Sequence, residues 1–392
     1  MMIDFVDEAQ ALFEYTRKLR RDFHQHPEIG FKEVRTASIV AKELTSLGLE
    51  VKTGIGHTGV VGLLEGKTPG MVVLLRFDMD ALPIQEETGA EYTSLNAGVM
   101  HACGHDGHTA IGLTVARLLN NHKDEFDGTL KFVFQPAEEG LGGAESMIAE
   151  GVLQNPKPEV TLSLHIWNEK PVGWVGIVPG PVMAAADTFY IKIIGKGGHG
   201  AVPNLVSDPI LAASQVIIAL QTIVSRNVSP LKAAVVSVGA IHGGEAFNVI
   251  PSVVELKGTL RTFEPQVREC VIERLQQIVE NVCRALECEA EVEVRSITPA
   301  LVNDPDITIR VQQVASRLLP VDQLDFETTT MGSEDMAFMQ QQIPGCFIFI
   351  GSANKEKNLN ASHHHPRFDF DEAILPKTAA LIAASAMEFL RK

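Results

Sequence analysis

The run "MVVLLRF" (71–77) shows no polar alternation apart from Arg76, and "VVGLLEG" (60–66) just before it is similar. A strand with one wet face alternates apolar and polar residues; a continuous apolar run implies cover on both faces. The chain supplies that cover. Val34, Ala37, Val40, Leu44 and Leu47 recur at three-to-four spacing and stop at Gly48, and Ile111, Val115 and Leu118 form a second helical stripe. "TLKFVF" (129–134), "VTLSLHIW" (160–167) and "CFIFIG" (346–351) read as further strands. Strands alternating with helices predict an α/β fold, a mostly parallel sheet flanked by helices.

From about Ala186 the pattern changes. "TFYIKIIGKG" is followed by a helix with Ser207 and Asp208 at its start and Pro209 in its first turn. The strands "KAAVVSVGAI" and "SVVELKGTLRTF", an amphipathic helix over about 265–286 and the strand "EAEVEVR" (289–295) complete the order β-α-β-β-α-β. This is the split βαβ, ferredoxin-like arrangement. The α/β style returns after about residue 299. The expected organisation is a catalytic domain of residues 1–185 and 299–392, with residues 186–298 inserted as an α+β lid or dimerisation domain. Helices on one face of the small sheet leave its other face open to water or a partner.

Bulk properties narrow the setting. With 45% hydrophobic and 21% charged residues, the composition is that of a globular protein, and a formal charge of −16 lacks the basic footprint that nucleic acid or an anionic membrane needs. The expectation is that no apolar run approaches the ~18 residues of a membrane helix. The acidic start "MMIDFVDEAQ" lacks the order of a signal peptide. Five scattered cysteines suit reduced thiols, hence a cytoplasmic location.

Chemistry concentrates in "HACGHDGH" (101–108), and other ligand-type residues lie in or just past predicted strands. Asp78 and Asp80 follow "VVLLRF", Glu138 and Glu139 follow "LKFVFQPA", His165 ends "VTLSL", and His363 to His365 lie beyond "CFIFIGS". Parallel sheets bind ligands outside the carboxyl ends of their strands, so these groups are expected on one rim. Cysteine, histidine and carboxylate together suit a borderline divalent ion such as zinc, with manganese or cobalt also compatible. Each group alone has a plainer reading as a helix cap, a solvated helix start or a core histidine. Cys103 as a nucleophile with a histidine base is a further alternative. A dinucleotide enzyme is disfavoured, since no G-x-G-x-x-G follows the first strand.

The motifs "RRDFHQHPEIGFKE", "RFDMDALPIQE", "MHACGHDGHTA", "FQPAEEGLGGA", "LHIW", "GKGGHGAVP", "FNVIP", "GTLRTF", "MGSEDMAFM" and "HHPRFDFDE" together resemble the aminoacylase/carboxypeptidase-type metallohydrolases. The branch they resemble holds hippurate hydrolases, indole-acetyl-amino-acid hydrolases and N-acetyl-diaminopimelate deacetylases. The resemblance implies two divalent ions per subunit, manganese or zinc, with cobalt or nickel also compatible. Cys103 would bridge them where other branches use an aspartate, and His105, Glu139, His165 and His364 would complete the ligand set. His364 is chosen because the family's ligand stands two residues before the proline. Glu138 matches the general base and Asp80 an orienting aspartate, while Asp78 stands where related carboxypeptidases have a metal-binding histidine. His199, Asn248 and Arg261 match substrate-contacting residues, the histidine usually coming from the partner subunit of a dimer.

The implied reaction is hydrolysis of an N-acyl amino acid to a carboxylate and a free amino acid. The partners expected are that small substrate and a second copy of the chain, with no nucleic acid and no membrane. The rivals are a dipeptidase or aminopeptidase on the same scaffold and, from another class, a non-catalytic binder of amino-acid conjugates or a thiol sensor.

Overall fold

The computed structural model describes residues 3–391. The chain divides into two compact units, one of Met1–Val182, Val302–Thr329 and Asp335–Lys392, the other of Met183–Leu301 with Thr330–Glu334. Each has its own hydrophobic core. Along the chain the larger unit contributes helix α1 (Phe13–Gln25), strands β1 (Glu50–Ile55), β2 (Gly59–Glu65) and β3 (Val72–Asp78), helix α2 (His105–Asn121), and strands β4 (Thr129–Gln135) and β5 (Val160–Pro171). The smaller unit follows with β6 (Ala185–Ile194), α3 (Pro209–Thr222), β7 (Ala234–His242), β8 (Val253–Thr262), α4 (Pro265–Ala285) and β9 (Glu289–Thr298). The larger unit resumes with β10 (Gly345–Ala353) and helix α5 (Ile374–Leu390).

The eight-stranded sheet runs β1-β2-β4-β3-β5-β10, followed by the short strands Val175–Gly176 and Leu324–Asp325. Its centre, β4-β3-β5-β10, is parallel, as the uninterrupted apolar runs require. β1 and β2 pair antiparallel, because the three residues between them are too few for a crossover, and β2 also joins β4 antiparallel. Helix α2 is buried on almost every side, well beyond the single stripe read from Ile111, Val115 and Leu118. It lies close on the sheet: a Cβ at Gly107 would stand 2.6 Å from Ile166 and 2.7 Å from the Phe370 ring. His165 sits inside the twelve-residue β5 and not at its end.

In the smaller unit the sheet order is β7-β8-β6-β9, antiparallel throughout, with Phe189, Ile191 and Ile193 of β6 in one core with Ala212, Val216 and Leu220 of α3 and Val271, Leu275 and Val279 of α4. The opposite sheet face is charged. Lys192 pairs with Glu291 at 3.3 Å, and Arg295 lies over the Tyr190 ring. Besides Tyr190, exposed apolar residues lie elsewhere in this unit, including Leu211 and Ile218 on α3 and Ile241 on β7.

The expectation about apolar runs needs one correction. Pro209–Asn227 has the length and composition of a membrane-crossing helix. The polar Ser214, Gln215 and Gln221 break up the apolar run without lowering its mean hydropathy enough to exclude it. In the fold its Ala212, Ala213, Val216 and Leu220 belong to the small unit's core.

Candidate metal centre

The sequence "HACGHDGH" turns into α2 at Gly104, whose φ of +91° is open to glycine and costly for other residues. That turn leaves Cys103 outside the helix and makes His105 its first residue. Loops beyond β3, β4 and β10 bring the other groups to the same place. Cys103, His105 and His165 each offer a donor atom within 4.8 Å of the others; so do Cys103, Glu139 and His364, and so do His105, Glu138 and Glu139. The Cys103 sulfur is therefore common to two donor triplets.

Hydrogen bonds fix how each ring faces. His105 Nδ1 donates to the Asp80 carbonyl at 2.9 Å, with Asp80 Oδ1 at 3.2 Å, which leaves Nε2 pointing away from both. Among the described residues that buried Nε2 has no hydrogen-bond partner. The other Asp80 oxygen accepts the Glu139 amide at 3.1 Å, so one carboxylate holds both a histidine and the glutamate loop. His165 Nδ1 donates to the Ile166 carbonyl at 2.6 Å, and its Nε2 faces the Cys103 sulfur at 3.5 Å. The His364 amide is tied to the Ala102 carbonyl at 2.8 Å, and His364 Nε2 lies 3.1 Å from Glu139 Oε1.

His108 belongs to a further potential donor group with Asp78 and His105, but its nitrogens are both engaged. Nδ1 donates to Asp78 Oδ1 at 2.5 Å, and Nε2 accepts the Ile166 amide at 2.9 Å. The other Asp78 oxygen takes Arg76 Nη1 at 2.6 Å. Asp78 thus anchors the layer beneath the donors. Arg76 itself is fully buried and also bonds Gln135 and Asp335. It was passed over in the sequence because an arginine in an apolar run carries no signal of its partners. The same is true of Arg20, buried on α1, which bonds Asp106 at 2.8 Å and Asp369 at 2.6 Å. "RRDFHQHPEIGFKE", which holds Arg20, and "RFDMDALPIQE", which holds Arg76, pointed at these residues only as family markers.

The electrostatics describe a cation-hungry cluster. Burial, then the carboxylates of Glu139, Glu138 and Asp78, push the Cys103 thiol well above its ordinary value. Burial alone would lower His105, but Asp78, Asp80 and Glu139 outweigh it and carry the ring to about 10. His165, buried beside His108 and His363, is held well below the usual range and stays neutral. A buried imidazole nitrogen with no hydrogen-bond partner among the described residues, a thiol and two glutamates at one point fit divalent cations, whose charge would displace the thiol proton and the proton on His105 Nε2.

The substrate-contact candidates lie in the smaller unit. His199 and Asn248 are exposed neighbours on the short ladder His199↔Val249, where the Gly200 amide bonds the Asn248 carbonyl at 2.8 Å. The Ala201 amide donates to His199 Nδ1 at 3.0 Å, which puts the ring proton on Nε2. Arg261, on β8, is half-buried, and its guanidinium meets Thr259 and the Leu260 carbonyl.

A parallel α/β sheet with thiol, imidazole and carboxylate donors beyond its strand ends defines the class of metallohydrolase-like folds. Residues 74–388 match Peptidase family M20/M25/M40, and the chain belongs to that family, whose members hydrolyse amide bonds. It is 41% identical over 372 residues to N-acetyl-L-cysteine deacetylase of Bacillus subtilis, covering 95% of this chain and 87% of that protein. It is 36% identical over 390 residues to thermostable carboxypeptidase 1 of Saccharolobus solfataricus, covering 98% of each. Among solved structures, the YxeP protein of Bacillus subtilis, described as a dinuclear metal binding peptidase, superposes with a TM-score of 0.84 at 35% identity over 97% of this chain and 99% of that one.

Proposed function

We propose that this chain is a binuclear metal-dependent amidohydrolase that cleaves N-acyl amino acids into a carboxylate and a free amino acid. The observation that carries the reading is the Cys103 sulfur shared by two donor triplets, with Glu138 beside His105 and Glu139. The similarity to a dinuclear peptidase and to a deacetylase of an N-acetyl amino acid supports it.

Cys103, His105, Glu139, His165 and His364 would hold two divalent cations, manganese or zinc being expected and cobalt or nickel compatible. When bound, such a pair acidifies water and polarises the scissile carbonyl. Asp80 keeps His105 and the Glu139 loop in register through its two oxygens. Glu138 takes the attacking water's proton and delivers it to the departing nitrogen. As the family resemblance implies, His199 delivered from the partner subunit of a dimer would donate to the carbonyl oxygen as charge develops there, and Arg261 with Asn248 would hold the substrate carboxylate. A thiolate ligand at Cys103 would also suit a reducing, cytoplasmic setting.

The test is Glu138→Gln. Metal analysis should still find two ions and calorimetry should still find substrate binding, while turnover falls by roughly 10²- to 10⁴-fold. Turnover near that of the unmodified enzyme would remove Glu138 from the mechanism. A second reading, a peptidase acting on unblocked peptides, is favoured by the similarity to a carboxypeptidase. A panel of N-acetyl, N-benzoyl and indole-acetyl amino acids against free-amino dipeptides separates the two; faster cleavage of the dipeptides would establish the second.

A further inference from the structure

The three consecutive histidines do different things. His364 meets Glu139, and His365 Nδ1 accepts the Arg367 amide at 3.0 Å, closing a turn. His363 points into the protein, its ring against Trp167 and Phe368 with centroids 5.1 and 5.0 Å away. The Asn168 amide donates to His363 Nε2 at 3.1 Å. An amide hydrogen aimed at a ring nitrogen requires a lone pair there, so the single proton of the neutral ring sits on Nδ1. That Nδ1 lies 3.7 Å from the Cys103 sulfur, within N–H···S range. Glu169 Oε2 stands 3.4 Å from the same Nε2, at ion-pair distance, but the amide occupies the hydrogen-bonding position. The sulfur is thereby placed between two imidazoles of opposite character. His165 presents a lone pair to it at 3.5 Å, where a proton or a cation fits, and His363 presents an N–H.

We propose that His363 is not a ligand but a positioning residue that donates a hydrogen bond to the Cys103 thiolate and sets how much charge the sulfur passes to the cations. The inference rests on the reading of Cys103 as a metal ligand. A hydrogen bond to a coordinating sulfur draws its lone-pair density back and lowers its donor strength, which leaves the cations more electrophilic. The carboxylates of Asp78, Glu138 and Glu139 act the opposite way, so His363 offsets part of their effect. The Asn168 amide keeps the ring in the required tautomer.

The test uses the full-length enzyme loaded with cobalt(II), comparing the unmodified protein with His363→Phe and His363→Asn. Phenylalanine keeps a ring but has no donor. Asparagine carries an amide N–H about where imidazole Nδ1 stands. Two readouts are taken, the metal equivalents bound and the energy of the sulfur-to-cobalt charge-transfer band. The expected result is two equivalents in all three proteins. The band should move to longer wavelength in His363→Phe and back toward its original position in His363→Asn, with cobalt affinity in the phenylalanine variant altered by roughly 10- to 100-fold. An unmoved band in His363→Phe overturns the proposal, as does loss of one equivalent in both variants, which would make His363 a ligand. If the phenylalanine variant does not fold by circular dichroism, His363→Leu replaces it as the non-donor. Two equivalents of cobalt with no sulfur band in the unmodified protein would instead overturn the role of Cys103, and the proposal with it.

Discussion

Cys103 bears the strongest constraint of any residue in the site. Burial and three neighbouring carboxylates oppose its ionisation, so a thiolate forms there only against a compensating positive charge. Replacing the sulfur by another bridging anion should therefore be tolerated better than removing it. Cys103→Asp is expected to retain two metal equivalents and measurable turnover, and Cys103→Ala to lose at least one equivalent; plasma emission analysis beside a hydrolysis assay distinguishes them. A trapped acyl-cysteine would make the thiol a nucleophile and sink this expectation. At this scale the sequence says much about proximity. Asp80, Glu139 and His364 each follow a recognisable apolar strand and Cys103 stands just before the Gly104 turn, so their meeting is written in the strand order. Orientation is a different matter. The tautomers of His108, His165 and His363 are set by the backbone of residues 166 and 168, and no local signal in "HHH" or "HDGH" announces those partners.

Helix α2 is held at its first turn by ionic contacts that reach across the larger unit. Arg20 and His24 on α1 both bond Asp106, and Arg20 also bonds Asp369. Burial would lower His24, but Asp106 and Glu86 outweigh it and raise the ring to about 9 from an ordinary 6.5. A proton held more tightly in the folded state stabilises it fully below pH 6.5, and that contribution is lost as the pH rises through about 9. Thermal melts should show His24→Gln well below the unmodified protein at pH 6, with the gap closing toward pH 9. A gap that widens with pH would refute the assignment. Arg76 plays the matching part within β3. Arg76→Met would remove the guanidinium that the buried carboxylates of Asp78 and Asp335 share and should cost about 3–5 kcal/mol, read from denaturant unfolding. The elements themselves were readable from periodicity, because apolar spacing reports burial. The antiparallel β1–β2 edge was not, since its apolar run resembles a parallel strand and only the short connection fixes its direction.

The smaller unit was readable as a split βαβ from the order of its strands and helices, but its surface chemistry was not. Its open sheet face is charged, while Leu211, Ile218 and Ile241 leave apolar surface exposed on α3 and β7. Scattered exposed apolar residues are ordinary; several on adjoining elements mark a contact surface. We expect a homodimer through that surface. Sedimentation should show dimers at micromolar concentration and monomers for the double variant Leu211→Glu, Ile218→Glu, with unchanged circular dichroism. Dimers surviving in the variant would move the interface elsewhere.

The donors of the candidate centre come from both arms of the larger unit, Cys103 before the inserted unit and His364 after it. A ribosome must therefore thread out the whole intervening segment before the last donor is available to meet the first. A nascent chain can fold its early strands and hold Cys103 near His165 long before it can close around a pair of ions. On the proposed ligand set, metal capture would fall at the end of synthesis, and a prematurely terminated chain stopping short of His364 would be catalytically silent.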